Sequence, residues 1–178
     1  IHPVDKRTPG ERLGECALRQ IYGMSRVPVY GPTVLGFRCD EGGRVRLFFR
    51  YAHGLHFSGT TPDSFGDEFA KSLPSLVRLP ERSGFELAGA DGVFHPAYAA
   101  IFVDCDIDDL VNSRVNVVDY NATEFGIPIN SRSIGTITLA TPDVPEPVAM
   151  RYAWRSWGPA PLFNDDGLPA QPFRLDLT

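Results

Sequence analysis

Along the first thirty positions the apolar residues recur at helical spacing: Leu13, Cys16, Ala17 and Ile21 fall on one stripe of a 3.6-residue period. Thr8 is placed to cap this segment, Pro9 suits a first helical position, and Glu11 stands three residues after Thr8 as a capping-box partner. Gly23 follows as a C′ residue able to take the left-handed conformation that ends a helix. The spacing predicts a helix over residues 9–22. Beyond Gly23 the chain changes to short runs rich in β-branched and aromatic residues, broken by Gly, Pro, Asn and Asp, which is the texture of an all-β sandwich or barrel. Strands are predicted at 27–30, 34–39, 44–51, 85–88, 99–103, 114–118, 134–139 and 148–153. Turns at Asp40-Glu41-Gly42-Gly43 and Asp91-Gly92 make neighbouring strands antiparallel.

Two stretches, 60–83 and 104–130, interrupt this rhythm and read as long loops or insertions. The second opens on Asp104, Asp106, Asp108 and Asp109, but it lacks the glycine and distal glutamate of an EF-hand, so a solvated loop is the better reading than a calcium site.

Composition narrows the function classes. An apolar fraction of 43% over 178 residues suffices for a packed core. Seventeen Lys and Arg against 22 Asp and Glu give a formal charge of −5, with no basic block to neutralise a phosphate backbone, so nucleic acid is a poor partner. No apolar run approaches the ~20 residues of a membrane span. Cys16, Cys39 and Cys105 are widely spaced without a CxxC pair, which predicts buried free thiols rather than a zinc site or a disulfide framework. The chain opens on Ile1 without the apolar core of a secretion signal, and is expected to begin within a longer protein.

Few residues offer chemistry. His2 precedes Pro3, which disfavours the α region and presents the imidazole in an extended segment at the helix entrance. On residue type alone, a solvated terminal histidine is the plainer reading. His53 and His56 have i, i+3 spacing in a segment that is not helical, so a loop or strand-end pair is expected; His95, before Pro96, reads as a surface or edge residue. There is no GxSxG elbow and no GxGxxG or GxxxxGK phosphate loop, so neither a nucleophile nor a cofactor is predicted within the chain. Asn121-Ala122-Thr123 is an N-glycosylation sequon of low specificity.

Three blocks together resemble the C-terminal region of the sialate O-acetylesterase family, whose esterase domain is of the SGNH hydrolase type. The first is Ile1-His2-Pro3 with Lys6, Gly10, Arg12 and Leu13; the second is GFELAGADGVFHPA at 84–97; the third is Arg151-Tyr152-Ala153-Trp154 followed by NDDGLPAQPFR at 164–174. They occur in the family's order and touch both ends of the chain. Pro161 and Phe163 depart from the Asn and Tyr usual in the family's tail, and the two long stretches exceed its usual length.

The resemblance implies that His2 is the acid/base of a catalytic triad whose serine and orienting acid lie upstream, and that the helix after it closes the esterase domain. It implies a fold that is mainly β: residues 1–25 as the catalytic His loop and last helix of an α/β SGNH-type esterase domain, and 26–178 as an antiparallel β-sandwich-like C-terminal domain. The expected partners are an acetylated carbohydrate substrate and the upstream catalytic half of the same protein, and no metal is expected. A secreted, periplasmic or lysosomal setting is suggested by the resemblance alone. On this reading the Pro- and Gly-rich end, 158–173, would pack on the catalytic domain. The alternative from a different class is a non-catalytic β-sandwich that binds carbohydrate through Trp154 and Trp157, or that buttresses the esterase domain.

Overall fold

The computed structural model describes residues 5–58, 77–102, 116–117, 134–156 and 158–178. His2, Cys105, the aspartates at 104–109, the Asn121 sequon and Trp157 lie outside the described residues. The chain divides into two compact units, Ile1–Tyr30 and Gly31–Thr178.

The first unit holds one helix, α1 (Arg7–Gln20). It starts two residues before the expected position because Asp5, rather than Thr8, does the capping. Asp5 Oδ1 accepts the backbone N–H of Arg7 at 3.0 Å and of Thr8 at 3.1 Å, satisfying two of the donors a helix start leaves open. Glu11 pairs with Arg7 at 2.6 Å instead of closing a capping box, in an i, i+4 contact that is exposed and therefore weak. Past the helix, Gly23 takes a left-handed φ of 70° and the Met24 N–H reaches the Leu18 carbonyl at 3.0 Å. The expected strand at 27–30 does not form. The Val27 N–H is bound to the Met24 carbonyl at 3.1 Å, Pro28 has no N–H to offer a ladder, and Arg19 Nη1 donates to the carbonyls of Ser25 (2.7 Å) and Val27 (2.8 Å). No residue of α1 is buried.

The second unit is antiparallel β throughout its described strand pairs. Strands β1 (Thr33–Asp40), β2 (Arg44–Arg50), β4 (Val77–Arg78), β7 (Tyr98–Phe102), β8 (Asn116–Val117) and β9 (Gly135–Ala140) form a sheet in the order β4-β7-β9-β2-β1-β8. Strands β5 (Phe85–Ala88), β6 (Phe94–Pro96), β10 (Ala149–Tyr152) and β12 (Phe173–Asp176) form a second sheet, β12-β10-β5-β6, and β3 (His56–Phe57) pairs with β11 (Leu162–Phe163). A four-residue helix, α2 (Pro80–Ser83), leads into β5 and ends at Gly84 with a left-handed φ of 74°.

Alternation explains how the two larger sheets meet. Val45, Leu47 and Phe49 of β2, opposite Leu139, Ile137 and Gly135 of β9, face one core; Phe85 and Leu87 of β5, opposite Tyr152 and Met150 of β10, face the same core from the other sheet. Phe49 and Phe173 bridge the sheets edge to face at 6.1 Å, and Tyr152 stacks between Phe85 (4.6 Å) and Phe173 (5.7 Å). The Pro- and Gly-rich end packs on this unit. Leu162 is fully buried, and Asn164, 2% exposed, donates Nδ2 to the Tyr51 carbonyl at 3.1 Å and accepts the Leu168 N–H at 3.0 Å. Among the described cysteines, Cys16 and Cys39 are free, but Cys39 is exposed rather than buried: it pairs with Val45 on the core-facing side of β1, yet sits at the strand end beside the hairpin, where the core no longer covers it.

Candidate functional site

Asp5 is the nearest described ionisable group after His2 in the sequence. The Thr8 side chain, with the Thr8 and Arg7 amides, holds the Asp5 carboxyl below the ordinary carboxylate range, so this acid is engaged as a helix cap. Among the described residues, the hydrogen bonds, ion pairs and ring contacts of His53 and His56 are with a backbone carbonyl, an aspartate and a phenylalanine. His56 begins β3, donates Nδ1 to the Gly54 carbonyl at 2.8 Å and stacks on Phe163 at 6.4 Å. His53 lies 3.9 Å from Asp165 with both side chains well exposed, a contact of little energy. His95 is on β6, one of the two edge strands of the four-stranded sheet. The one buried serine among the described residues, Ser83, is committed to structure: its hydroxyl donates to the Ala97 carbonyl at 2.6 Å and accepts the Phe85 N–H at 3.1 Å. No group of three His, Cys, Asp or Glu able to hold a metal occurs among the described residues.

A concave site forms where β10 ends. Within Arg151-Tyr152-Ala153-Trp154, Arg151 points out of the sheet and Tyr152 into the core, where its hydroxyl accepts the Leu162 N–H at 2.9 Å. Burial pushes the Tyr152 hydroxyl pKa up to about 12. Ala153 then adopts φ 49°, a left-handed conformation costly for a residue with a Cβ, and is held there by its N–H bond to the Gly84 carbonyl at 2.9 Å. The kink turns the next side chain outward, leaving Trp154 52% exposed.

Below Trp154 lies Glu86, 6% exposed, whose register partner on β10 is Arg151. Glu86 Oε2 accepts Arg151 Nε at 2.6 Å, while Oε1 accepts Arg155 Nε at 3.1 Å and Nη2 at 2.5 Å. Burial acts to raise the Glu86 pKa, but the hydrogen bonds and charges of the two arginines outweigh it and hold the carboxyl below its usual range. The Arg151 guanidinium is itself seated 3.9 Å from the ring centroid of Phe94. Trp154, Arg155, Glu86, Gly84, Pro96 and Pro159 are among the residues enclosing a cavity of about 180 Å³. Sequence reasoning picked out Trp154 but missed Glu86 and Arg155. The available signal was the phase of two short strands: Glu86 and Arg151 face the same way only if 85–88 and 149–152 are neighbours.

No protein-family model and no curated protein sequence matches the chain. Among solved structures, the chain is similar to a crystal structure of a carbohydrate acetylesterase from Xanthomonas citri, with a TM-score of 0.62 and 28% sequence identity. The match covers 100% of this chain and 30% of that enzyme, so the chain spans less than a third of the enzyme's length. The likeness supports a hydrolase relationship at the level of a carbohydrate acetylesterase.

Proposed function

We propose that this chain is the C-terminal part of a carbohydrate O-acetylesterase of the sialate O-acetylesterase type, and that it contributes His2 to a Ser-His-Asp site whose serine and aspartate lie upstream. The observation that carries this reading is the match along the full chain to part of a carbohydrate acetylesterase, joined to the Ile1-His2-Pro3, Lys6, Gly10, Arg12 and Leu13 block of the sequence. Residues 1–25 then belong to the esterase domain and 26–178 form its β companion.

The chemistry asked of His2 is ordinary for an imidazole. With a reference pKa of about 6.5 it takes the proton of a serine hydroxyl as the oxygen attacks the acetyl carbonyl, then returns a proton to the departing sugar hydroxyl. Water attacks the acetyl-serine in the second half, and the same imidazole reverses roles. An upstream aspartate would fix the tautomer, consistent with Asp5 being occupied as a cap.

In the complete protein, His2→Ala is expected to lower kcat on an acetylated sugar by about three to four orders of magnitude, by analogy with triad deletions, without a change in the unfolding midpoint. The isolated chain should hydrolyse acetyl esters no faster than buffer does. Near-normal turnover by His2→Ala, or unaided turnover by the chain, defeats the assignment.

A further inference from the structure

We infer that the cavity at the end of β10 is a non-catalytic subsite for a neutral, hydroxylated sugar ring, stacked on Trp154 and hydrogen-bonded by Arg155 and Glu86. The choice of a carbohydrate ligand rests on the proposed function; the site itself rests on three independent features of the second unit.

The first is the deliberate exposure of an aromatic face. Trp154 stands two residues after the buried Tyr152, the spacing at which strand alternation would turn it inward, and the left-handed turn at Ala153 between them breaks that alternation. A backbone conformation that costs free energy is retained where the surrounding structure over-determines it, and such positions cluster at ligand sites. A large apolar face with a polar N–H at its edge suits the C–H face of a pyranose.

The second is the polar wall. The Glu86 carboxylate is more than nine-tenths buried yet lines the cavity, and it fixes the Arg155 fork through Nε and Nη2. That leaves Arg155 Nη1 without a part in these bonds, on a side chain that is 60% exposed. A guanidinium donor beside a carboxylate acceptor matches vicinal hydroxyls, each of which donates and accepts. The Glu86 carboxylate is matched by Arg151 and Arg155, and Glu81 also lines the cavity, so the site has no net positive charge with which to select an anionic ligand.

The third is size. A cavity of about 180 Å³ is below the ~300–1,000 Å³ usual for drug-sized ligands, so it takes one ring rather than a chain. A single ring of this size binds weakly, with a Kd of the order of millimolar.

The test is a titration of the ¹⁵N-labelled chain with xylotriose, following the indole N–H resonance that Trp154→Ala removes. A saturable shift is expected, weakened at least tenfold in Arg155→Gln and, by backbone amide shifts, in Trp154→Ala; Glu41→Ala on the β1–β2 hairpin should bind like the parent. Trp154 is half exposed and Arg155 more so, and Arg155→Gln gives a second reading should Trp154→Ala perturb the fold. The inference is overturned if xylotriose produces no saturable shift at tens of millimolar, if both variants bind normally, or if only the anionic N-acetylneuraminic acid binds. Absent binding together with loss of turnover in His2→Ala removes the subsite and leaves the esterase reading standing. Normal binding with full turnover in His2→Ala does the reverse.

Discussion

The two units of the chain treat apolar residues in opposite ways. In Gly31–Thr178 the side chains that alternate inward from two sheets are nearly all sealed, with Val45, Leu47, Phe49, Phe85, Leu87, Met150 and Tyr152 showing no appreciable exposure. In Ile1–Tyr30 the two ends of the apolar stripe are open, Leu13 72% and Ile21 76% exposed, while Cys16 and Ala17 between them are half-buried, and no residue of α1 is fully buried. A helix of 14 residues is marginal by propensity alone, and most helical stability in proteins comes from packing an apolar face. The β unit therefore accounts for its own pattern, whereas the first unit by itself does not bury the apolar positions of its helix.

The comparison breaks most visibly in the core. Phe49→Ala removes a fully buried ring that bridges the sheets, and should destabilise the β unit by about 3–5 kcal/mol. A urea titration followed by near-ultraviolet circular dichroism would measure this. A loss below 1 kcal/mol would mean that the two sheets do not share one core.

A smaller effect comes from Tyr152, whose hydroxyl pKa is raised by burial from 10.0 to about 12. Because the folded value lies above the unfolded one, the stability tied to the neutral phenol is complete below pH 10 and is lost as pH rises toward 12. Two units at 1.36 kcal/mol each set the loss at roughly 3 kcal/mol. Tyr152→Phe should flatten this alkaline slope, while lowering stability near neutrality by about 1–2 kcal/mol because the Leu162 N–H loses its acceptor. An unchanged slope between pH 10 and 12 would remove Tyr152 as its source.

The same contrast governs what could be read in advance. Seven strands, β1, β2, β5, β7, β8, β9 and β10, were legible because runs such as VRLFF, RVNVV and TITLA are long enough to show alternation or continuous burial. The two-residue strands β3, β4 and β11 have no period to detect, and β12 was hidden in a tail dominated by Pro and Gly. The helix was legible but its start was not, since Asp5 and Thr8 are both good capping types and only the folded chain selects which carboxyl or hydroxyl is used. Trp154 could be noticed as a tryptophan. The burial of Glu86 beneath arginines 65 and 69 residues away shows only once strands 85–88 and 149–152 are known to be neighbours, because cross-strand contacts are fixed by sheet register.

The smallest expected effect sharpens the comparison furthest. Leu13→Ala with Ile21→Ala in the isolated chain should change stability by no more than about 0.5 kcal/mol, since both side chains already face solvent and alanine is the better helix former. The helical signal at 222 nm should hold or rise. In the complete protein the same pair should cost several kcal/mol, because burying a Leu or Ile side chain is worth roughly 1.5–3 kcal/mol and a cavity adds to the loss. The difference between the two backgrounds measures how much of the stripe is covered by the proposed esterase domain. Equal, near-zero losses in both would leave α1 as an uncovered appendage, and the placement of residues 1–25 in that domain would fall with it.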